Sequence, residues 1–484
     1  MWAPMKLRSG RRLRPYSKQL SPVEVGDGED HISALPDDLL FLVLGRLRCF
    51  GAAVRTGVLS RRWRGLWSRL RQIFLRDAPF HFLETALARV PRPPPKVSLL
   101  EIHLPEPHRL ASTENLLDTA SVNSLLRAAA RLDPEELFLV LPSLLRDSLP
   151  LELPCFRSAT SIMLDLCCII RRVAAGVEFP ALETLSLLNC TANLDALLSG
   201  CPRLRTLRLS KVAFHKHVLS VNSPLLQELV VNRARWIKHV NIVAPMLTQL
   251  TLSLHTYQEL SISILVPMVE KVSWDCSFSW SFSGFGLWQL RRLSLQTAET
   301  QGHLPSLYIH GCMSRYTRHD EVGNFKQEIE ERLIAAFSVL ELHLTTNGHV
   351  YGPFMSHVLE INEIRCAIQR LHVDLERPLM EQGCPPDCPC EPTDWKSQTI
   401  SLTALEEVEI SGFGGKDHDF DLLKLILRSA PILKRMTMKL SQEASASNDG
   451  GIKVYDIFKA YPTVQCYVRL SSGLMHGSQN CPSI

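Results

Sequence analysis

The chain has 484 residues, 45% hydrophobic and 21% charged, the composition of an ordinary soluble protein long enough for several domains or one elongated repeat domain. Its formal net charge is +4, but residues 1–20 hold Lys6, Arg8, Arg11, Arg12, Arg14 and Lys18 with no acid. The remainder therefore carries −2, and a nucleic-acid reading would rest on that tail alone. No stretch approaches the roughly 18 uninterrupted apolar residues of a membrane span, and the N-terminus lacks the apolar core of a signal peptide.

Residues 1–30 read as a basic tail, either a nuclear-import signal or a solvated flexible segment. The expected location is nucleus, cytoplasm or both. There the 14 cysteines stay reduced, many of them, such as Cys167, Cys168 and Cys190, as small buried apolar side chains. Residues 31–78 concentrate helix signals. Pro36 suits a first helical position, and Asp37 and Asp38 complement the helix dipole. Leu39, Leu40, Val43, Leu44 and Leu47 then recur at helical spacing, and a second run carries Val54, Val58, Leu59, Arg61, Arg62, Trp63, Leu66 and Trp67. So short a unit cannot build a sufficient core alone, so it docks on the rest of the chain or on a partner.

The order Leu35-Pro36-Asp37-Asp38-Leu39-Leu40, then Val43-Leu44, Leu47 and Val58-Leu59-Ser60-Arg61-Arg62-Trp63-Arg64-Gly65-Leu66-Trp67, resembles the F-box, the adaptor-binding module of cullin-scaffolded ubiquitin ligases. The resemblance implies a Skp-type adaptor, and through it a cullin scaffold, as partners. Its adaptor contacts would be Leu35, Pro36, Leu39, Val43, Leu44, Leu47, Val58, Leu59, Trp63 and Leu66. Leu42 departs from the family pattern, which often has Arg or another polar residue there, and Gly57 lowers local helix propensity by about 1 kcal/mol relative to Ala.

From about residue 95, within an expected solenoid at 79–397, the chain repeats Pro-x-Leu-x-x-Leu-x-Leu. The best copies start at Pro180, Pro202, Pro224, Pro245 and Pro267, spaced 22, 22, 21 and 22 residues apart, and Trp288 opens another with Leu290, Leu293 and Leu295. Looser copies fit at Pro95, Ala159, Phe337 and Cys366. A period of 20–29 residues built on a short Leu-x-Leu strand is the mark of leucine-rich repeats, hence an α/β solenoid with a ladder of parallel strands. Strand alternation puts Leu207 and Leu209 inside and leaves outward a target-binding face of Thr184, Ser186, Arg208, Ser210, Glu228, Asn232, Gln249, Thr251, Lys271, Ser273, Arg292 and Ser294. That face is mixed in charge and suits a protein or small ligand.

Cys384, Cys388 and Cys390 lie in Cys-Pro-Pro-Asp-Cys-Pro-Cys. A closed zinc site needs four ligands and the stretch lacks paired Cys-x-x-Cys knuckles, so it reads as a Pro-rich insertion loop and no metal is expected. His215 and His217 read as exposed loop residues. Residues 398–470 run from a strand ending near Ile410 through the turn Gly412-Phe413-Gly414-Gly415 and a helix over Phe420–Ser429 to a second strand near Met438, an order that resembles the FBD tail of plant F-box/leucine-rich-repeat proteins. Physically it can cap the last repeat. Ser441–Gly451 reads as a loop and residues 471–484 as a flexible tail.

No phosphate loop, nucleophile elbow or kinase set occurs, so no catalytic residue and no cofactor are expected. The F-box and repeats together imply the substrate-recognition subunit of a Skp-cullin-F-box ubiquitin ligase, holding an unknown target protein on its repeats. The alternatives are a ligand-dependent co-receptor and a non-degradative adaptor-bound scaffold.

Overall fold

A computed structural model of the chain describes residues 35–47, 50–76, 83, 85, 87–88, 96–104, 119–141, 150–166, 169–173, 178–256, 260–279, 284–297, 304–313, 325–377, 388, 390, 393–442, 444, 449–469 and 475–477. The basic tail at 1–30, Cys167, Cys168 and Cys384 lie outside these residues. No helix among the described residues is long and apolar enough to cross a membrane.

One 18-stranded sheet dominates. Its first nine strands are all parallel: β1 (Gln72–Arg76), β2 (Leu99–His103), β3 (Glu136–Val140), β4 (Ser161–Asp165), β5 (Thr184–Leu188), β6 (Thr206–Ser210), β7 (Glu228–Arg235), β8 (Gln249–Thr256) and β9 (Lys271–Phe278). The 22-residue period is read out directly in the pairing. Leu185 pairs with Leu207, Leu207 with Leu229, Leu229 with Leu250 and Leu250 with Val272, so equivalent leucines stack into one buried column. Pro180, Pro202, Pro224, Pro245 and Pro267 occupy the turns that feed the strands, where a fixed φ is an advantage and no ladder hydrogen bond is lost.

On the outer side of this block the returns form two smaller parallel sheets. One holds Pro150–Leu153, Ile169–Val173, Thr191–Ala192 and Ala213–Phe214, the other Val218–Asn222, His239–Val243 and Ser261–Leu265. Runs such as His239-Val240-Asn241-Ile242-Val243 alternate with period two and are β-branched, which favours strand over helix.

The copy at Trp288 departs from expectation. Its strand, β10 (Trp288–Gln296), is antiparallel to β9 and to β11 (Ser306–Met313). Nine residues separate β9 from β10, and Gly284–Phe285 folds back on Gln289 and Trp288 through a tight turn with Gly286 at φ 57°. A parallel crossover needs about a dozen residues or more, whereas a hairpin needs two. Leu290, Leu293 and Leu295 are nevertheless all buried, because a bulge between Leu290 and Arg292 absorbs the odd spacing.

Parallel pairing resumes with β12 (Val339–Thr345), β13 (Arg370–Glu376), β14 (Glu407–Phe413), β15 (Arg435–Leu440) and β16 (Gln465–Arg469). Residues 398–470, expected as a cap, supply the last parallel rungs β14, β15 and β16 of the same ladder, and Met475–Gly477, read from sequence as flexible tail, adds an antiparallel edge strand to β16. Helix Asp449–Phe458 likewise starts inside the expected loop at 441–451.

The N-terminal unit contains α1 (Asp37–Arg46), α2 (Phe50–Arg55) and short turns of 3-10 helix at Thr56–Val58 and Leu66–Arg69. Leu40, Leu44, Ala53, Trp63, Leu66 and Leu70 form its own small core, and Trp67 packs against both this core and the main one. The unit thus docks on the solenoid, and Gln72–Arg76, placed in it by sequence, is the first ladder strand.

Candidate functional site

Two surfaces stand out. The first is on the N-terminal unit, where Leu39, Val43 and Leu47, spaced four residues apart, line one exposed face of α1. Leu42 beside them is 61% exposed, and Val58 and Leu59, in the turn after α2, are 85% and 68% exposed. A bond from Arg62 to Asp37 at 2.6 Å ties the second helical segment to the start of α1. Of the ten residues expected as adaptor contacts, Pro36, Leu39, Val43, Leu47, Val58 and Leu59 are exposed and Leu35 is half-buried. Leu44, Trp63 and Leu66 are corrected to core positions. They turn toward Leu40 and Leu70 because a unit this small must fill its interior with its largest apolar side chains, so they support the surface rather than form it.

The second surface is the open face of the ladder. Thr184, Thr206, Glu228, Gln249 and Lys271 stand in one register row, and Ser186, Arg208, Thr251 and Ser273 in the next. Arg208 is bonded to Glu228 at 3.1 Å, and Ser210 and Asn232 pair across β6 and β7. Ser294 is corrected: only 7% exposed, it lies between Asp275 and Tyr308, whose longer side chains flank it, and Arg292 spans the gap with a bidentate bond to Asp275 (2.7 and 3.2 Å) while stacking on the Tyr308 ring.

A groove on this face lies further along than the sequence suggested. Tyr308, Glu341, His372 and Glu409 form one row across β11–β14, and His310, His343, Asp374 and Ser411 the next. A groove of about 250 Å³ opens between them. His343 bonds Asp374 through Nδ1 (3.1 Å) and Glu376 through Nε2 (3.2 Å), Thr345 donates to Glu376 (2.8 Å), and His310 packs edge-on to His343 at 4.6 Å. Hydrogen bonds from Thr345 and His343 hold the Glu376 carboxyl below its ordinary range. Burial, and then the neighbouring His343, pushes His310 down.

A nucleophile triad needs the imidazole between hydroxyl and carboxylate, whereas the register puts Asp374 between His343 and Ser411. The groove offers instead an acidic rim: Lys439 bonds Glu409, while Glu341 has no ion-pair partner among the described residues. The signal for this site was present in the outward positions of the copies at Phe337 and Cys366, where His343, Thr345, His372, Asp374 and Glu376 alternate with buried leucines and valine.

Past the ends of β13 and β14, a fully buried Asp419 joins three elements. It accepts from the Tyr351 hydroxyl (2.7 Å), from Arg377 (3.0 Å) and from the backbone N–H groups of Gly414 and Lys416 (both 3.1 Å). Gly412 has φ 78°, and any side chain there would meet the Leu375 carbonyl; Gly414 lies against the Arg377 guanidinium. The glycine-rich turn is the shape needed to wrap this charge pair. Among the described residues one group also assembles metal-type ligands, His349 with Cys388 and Cys390. His215 and His217 are exposed as expected.

Comparison with known families and proteins fits this geometry. Residues 122–273 match the family model described as FBD-associated F-box protein At5g56370, LRR repeats, and residues 402–438 match the FBD model. The chain is similar to the F-box/LRR-repeat protein At3g03360 of Arabidopsis thaliana, 31% identical over 195 residues covering 38% of this chain and 39% of that protein. It is also similar to the FBD-associated F-box protein At5g56560 of the same plant, 29% identical over 184 residues covering 36% of this chain and 41% of the relative. The aligned regions thus span about two-fifths of the curated relatives' length. The leucine-rich repeats and the FBD region are therefore assigned on both structure and similarity, and the two family matches lie downstream of the N-terminal helical unit.

Proposed function

We propose that the chain is a non-catalytic substrate receptor of a Skp-cullin-F-box ubiquitin ligase, with the N-terminal unit as the F-box and the ladder face as the target-binding surface. The observation that carries the reading is the exposed stripe of Leu39, Val43, Leu47, Val58 and Leu59 on a unit whose own core is already complete. Exposed large apolar side chains concentrated on so small a unit point to a protein interface, and each contributes on the order of 1.5–3 kcal/mol when fully buried by a partner. The receptor's work is then geometric, since tethering adaptor and target to one rigid sheet raises the effective concentration of target lysines at the ubiquitin-charged enzyme.

For the target we favour the groove at β11–β14. Its Glu341, which has no ion-pair partner among the described residues, suits a basic side chain of a protein target, whereas Asp374 and Glu409 are bonded by His343 and Lys439; about 250 Å³ is below the roughly 300–1,000 Å³ of small-molecule sites, which weighs against the ligand-dependent co-receptor. The test is a reconstituted ubiquitination assay on a target captured by proximity labelling. Leu39→Asp with Val43→Asp is expected to keep the target bound but abolish its ubiquitination, whereas Glu341→Lys is expected to keep adaptor and lose target. Equal ubiquitination of the target by wild type and the α1 double variant would end the receptor reading.

A further inference from the structure

His349 is held rigidly just past the end of β12. The turn that carries it has Asn347 and Gly348 at positive φ (47° and 81°), closes with a bond from His349 N–H to the Thr346 carbonyl (2.9 Å), and is anchored by Asn347 to the Met313 carbonyl (3.2 Å). Cys388 and Cys390 arrive from a different direction. Five residues beyond Cys390, Trp395 is buried against Gly352, so tightly that a Cβ on Gly352 would stand 2.3 Å from the indole. Gly352 follows His349 by three residues, so Trp395 packs close in sequence to both the imidazole and the two thiols.

The resulting cluster has the dimensions of a metal site. Cys388 Sγ lies 3.3 Å from His349 Nδ1, and the three ligand atoms all fall within 4.8 Å of one another. Tetrahedral zinc with Zn–S near 2.3 Å and Zn–N near 2.05 Å sets sulfurs about 3.8 Å apart and sulfur from nitrogen about 3.6 Å. Small side-chain rotations therefore bring the trio into register. Cys390 is buried while His349 and Cys388 are half-buried, which leaves a path for the ion, and two thiols with one imidazole select a borderline-soft cation over calcium or magnesium.

We propose that His349, Cys388 and Cys390 bind a zinc ion that clasps the two cysteines onto the turn after β12, with the fourth tetrahedral position left to a further donor. The clasp is structural and stands apart from the groove, so it tests independently of the receptor function. The full chain, purified without chelator, is analysed for zinc by mass spectrometry and, after exchange into cobalt, for thiolate-to-metal charge-transfer absorption. Wild type and Cys366→Ser, which alters an exposed thiol elsewhere, are expected to hold roughly one equivalent each and to show the cobalt band. Cys388→Ser and His349→Gln are expected to lose zinc by roughly tenfold or more, and chelator is expected to lower the melting temperature of wild type but not of Cys388→Ser. His349→Gln alters a half-buried turn residue and keeps the fold if Cys388→Ser does not. Wild type without bound zinc, or zinc retained unchanged in both variants, overturns the assignment.

Discussion

Replacing Asp419 with Ala probes the charge cluster that fastens the FBD region to the preceding rungs. The carboxylate is fully buried and accepts from Tyr351, Arg377 and two backbone N–H groups, while Arg377, whose side chain is 15% exposed, also donates to the Gly412 carbonyl (3.2 Å). Burial, then the Asp419 charge, raises the Tyr351 hydroxyl well above its ordinary range, so it stays a neutral donor at any physiological pH. Removing one partner of a buried ion pair costs about 3–5 kcal/mol, and each orphaned buried donor about 1–3 kcal/mol, with the contributions overlapping because they share one network. The expected loss for Asp419→Ala is on the order of 4 kcal/mol, a large share of the roughly 5–15 kcal/mol of a typical domain. Tyr351→Phe, which removes only one charge-assisted bond, should cost about 1.5–3 kcal/mol. Hydrogen exchange resolved to residues 407–440 is the assay, since a repeat array can open locally before it unfolds as a whole. Protection lost by less than about 1 kcal/mol in Asp419→Ala would refute the argument that this carboxylate is the fastener.

Two further outcomes follow from the ladder. Leu207, fully buried between Leu185 and Leu229, should tolerate no charge, so Leu207→Asp should unfold or aggregate the array, while Arg208→Ala should change stability by no more than about 1 kcal/mol because its bond to Glu228 is exposed; equal melting shifts would contradict the register. His310 has a folded pKa below its unfolded value of about 6.5, so the unfolded chain binds more protons as pH falls through that value and stability should decline from pH 7.5 to 5.5; a melting curve for His310→Gln should decline less, and an identical slope would remove His310 as a contributor.

Much of this architecture was legible because leucine-rich repeats write their period into the sequence. The 21- and 22-residue steps from Pro180 to Pro267 became strand registers that keep the leucine columns aligned, since each must stack on the next, with one bulge between Val231 and Ala234 just beyond the leucine positions. The reversal of β10 was not legible. Trp288 keeps both the spacing and the leucines of its neighbours, and strand direction is decided by how the nine residues before it turn, not by what the strand buries. The final strand was not legible either: Arg435–Leu440 and Gln465–Arg469 continue the repeat pairing inside the expected cap, and the short Met475–Gly477 strand beyond it adds to the edge. The outward placement of the groove residues was legible in the alternation of the copies at Phe337 and Cys366, but their pairings were not: His343 meets Glu376 over 33 positions and His349 meets Cys388 over 39, partners that linear spacing does not single out. In the N-terminal unit the pattern suggested three helices where the structure has α1, α2 and short 3-10 turns, and it did not separate Trp63 and Leu66, which fill the core, from Val58 and Leu59, which face outward, because all four are apolar at helical spacing.

The central claim rests on that outward apolar surface, and calorimetric titration of the full chain with a purified Skp-type adaptor measures it most directly. Val58→Asp with Leu59→Asp should weaken binding by more than roughly a hundredfold, as two buried anchors of about 1.5–3 kcal/mol each are replaced by charges. Leu265→Asp, an equally exposed leucine on the outer sheet, should leave the affinity unchanged. Wild-type affinity in the Val58/Leu59 variant, or no binding by the wild-type chain, would contradict the account.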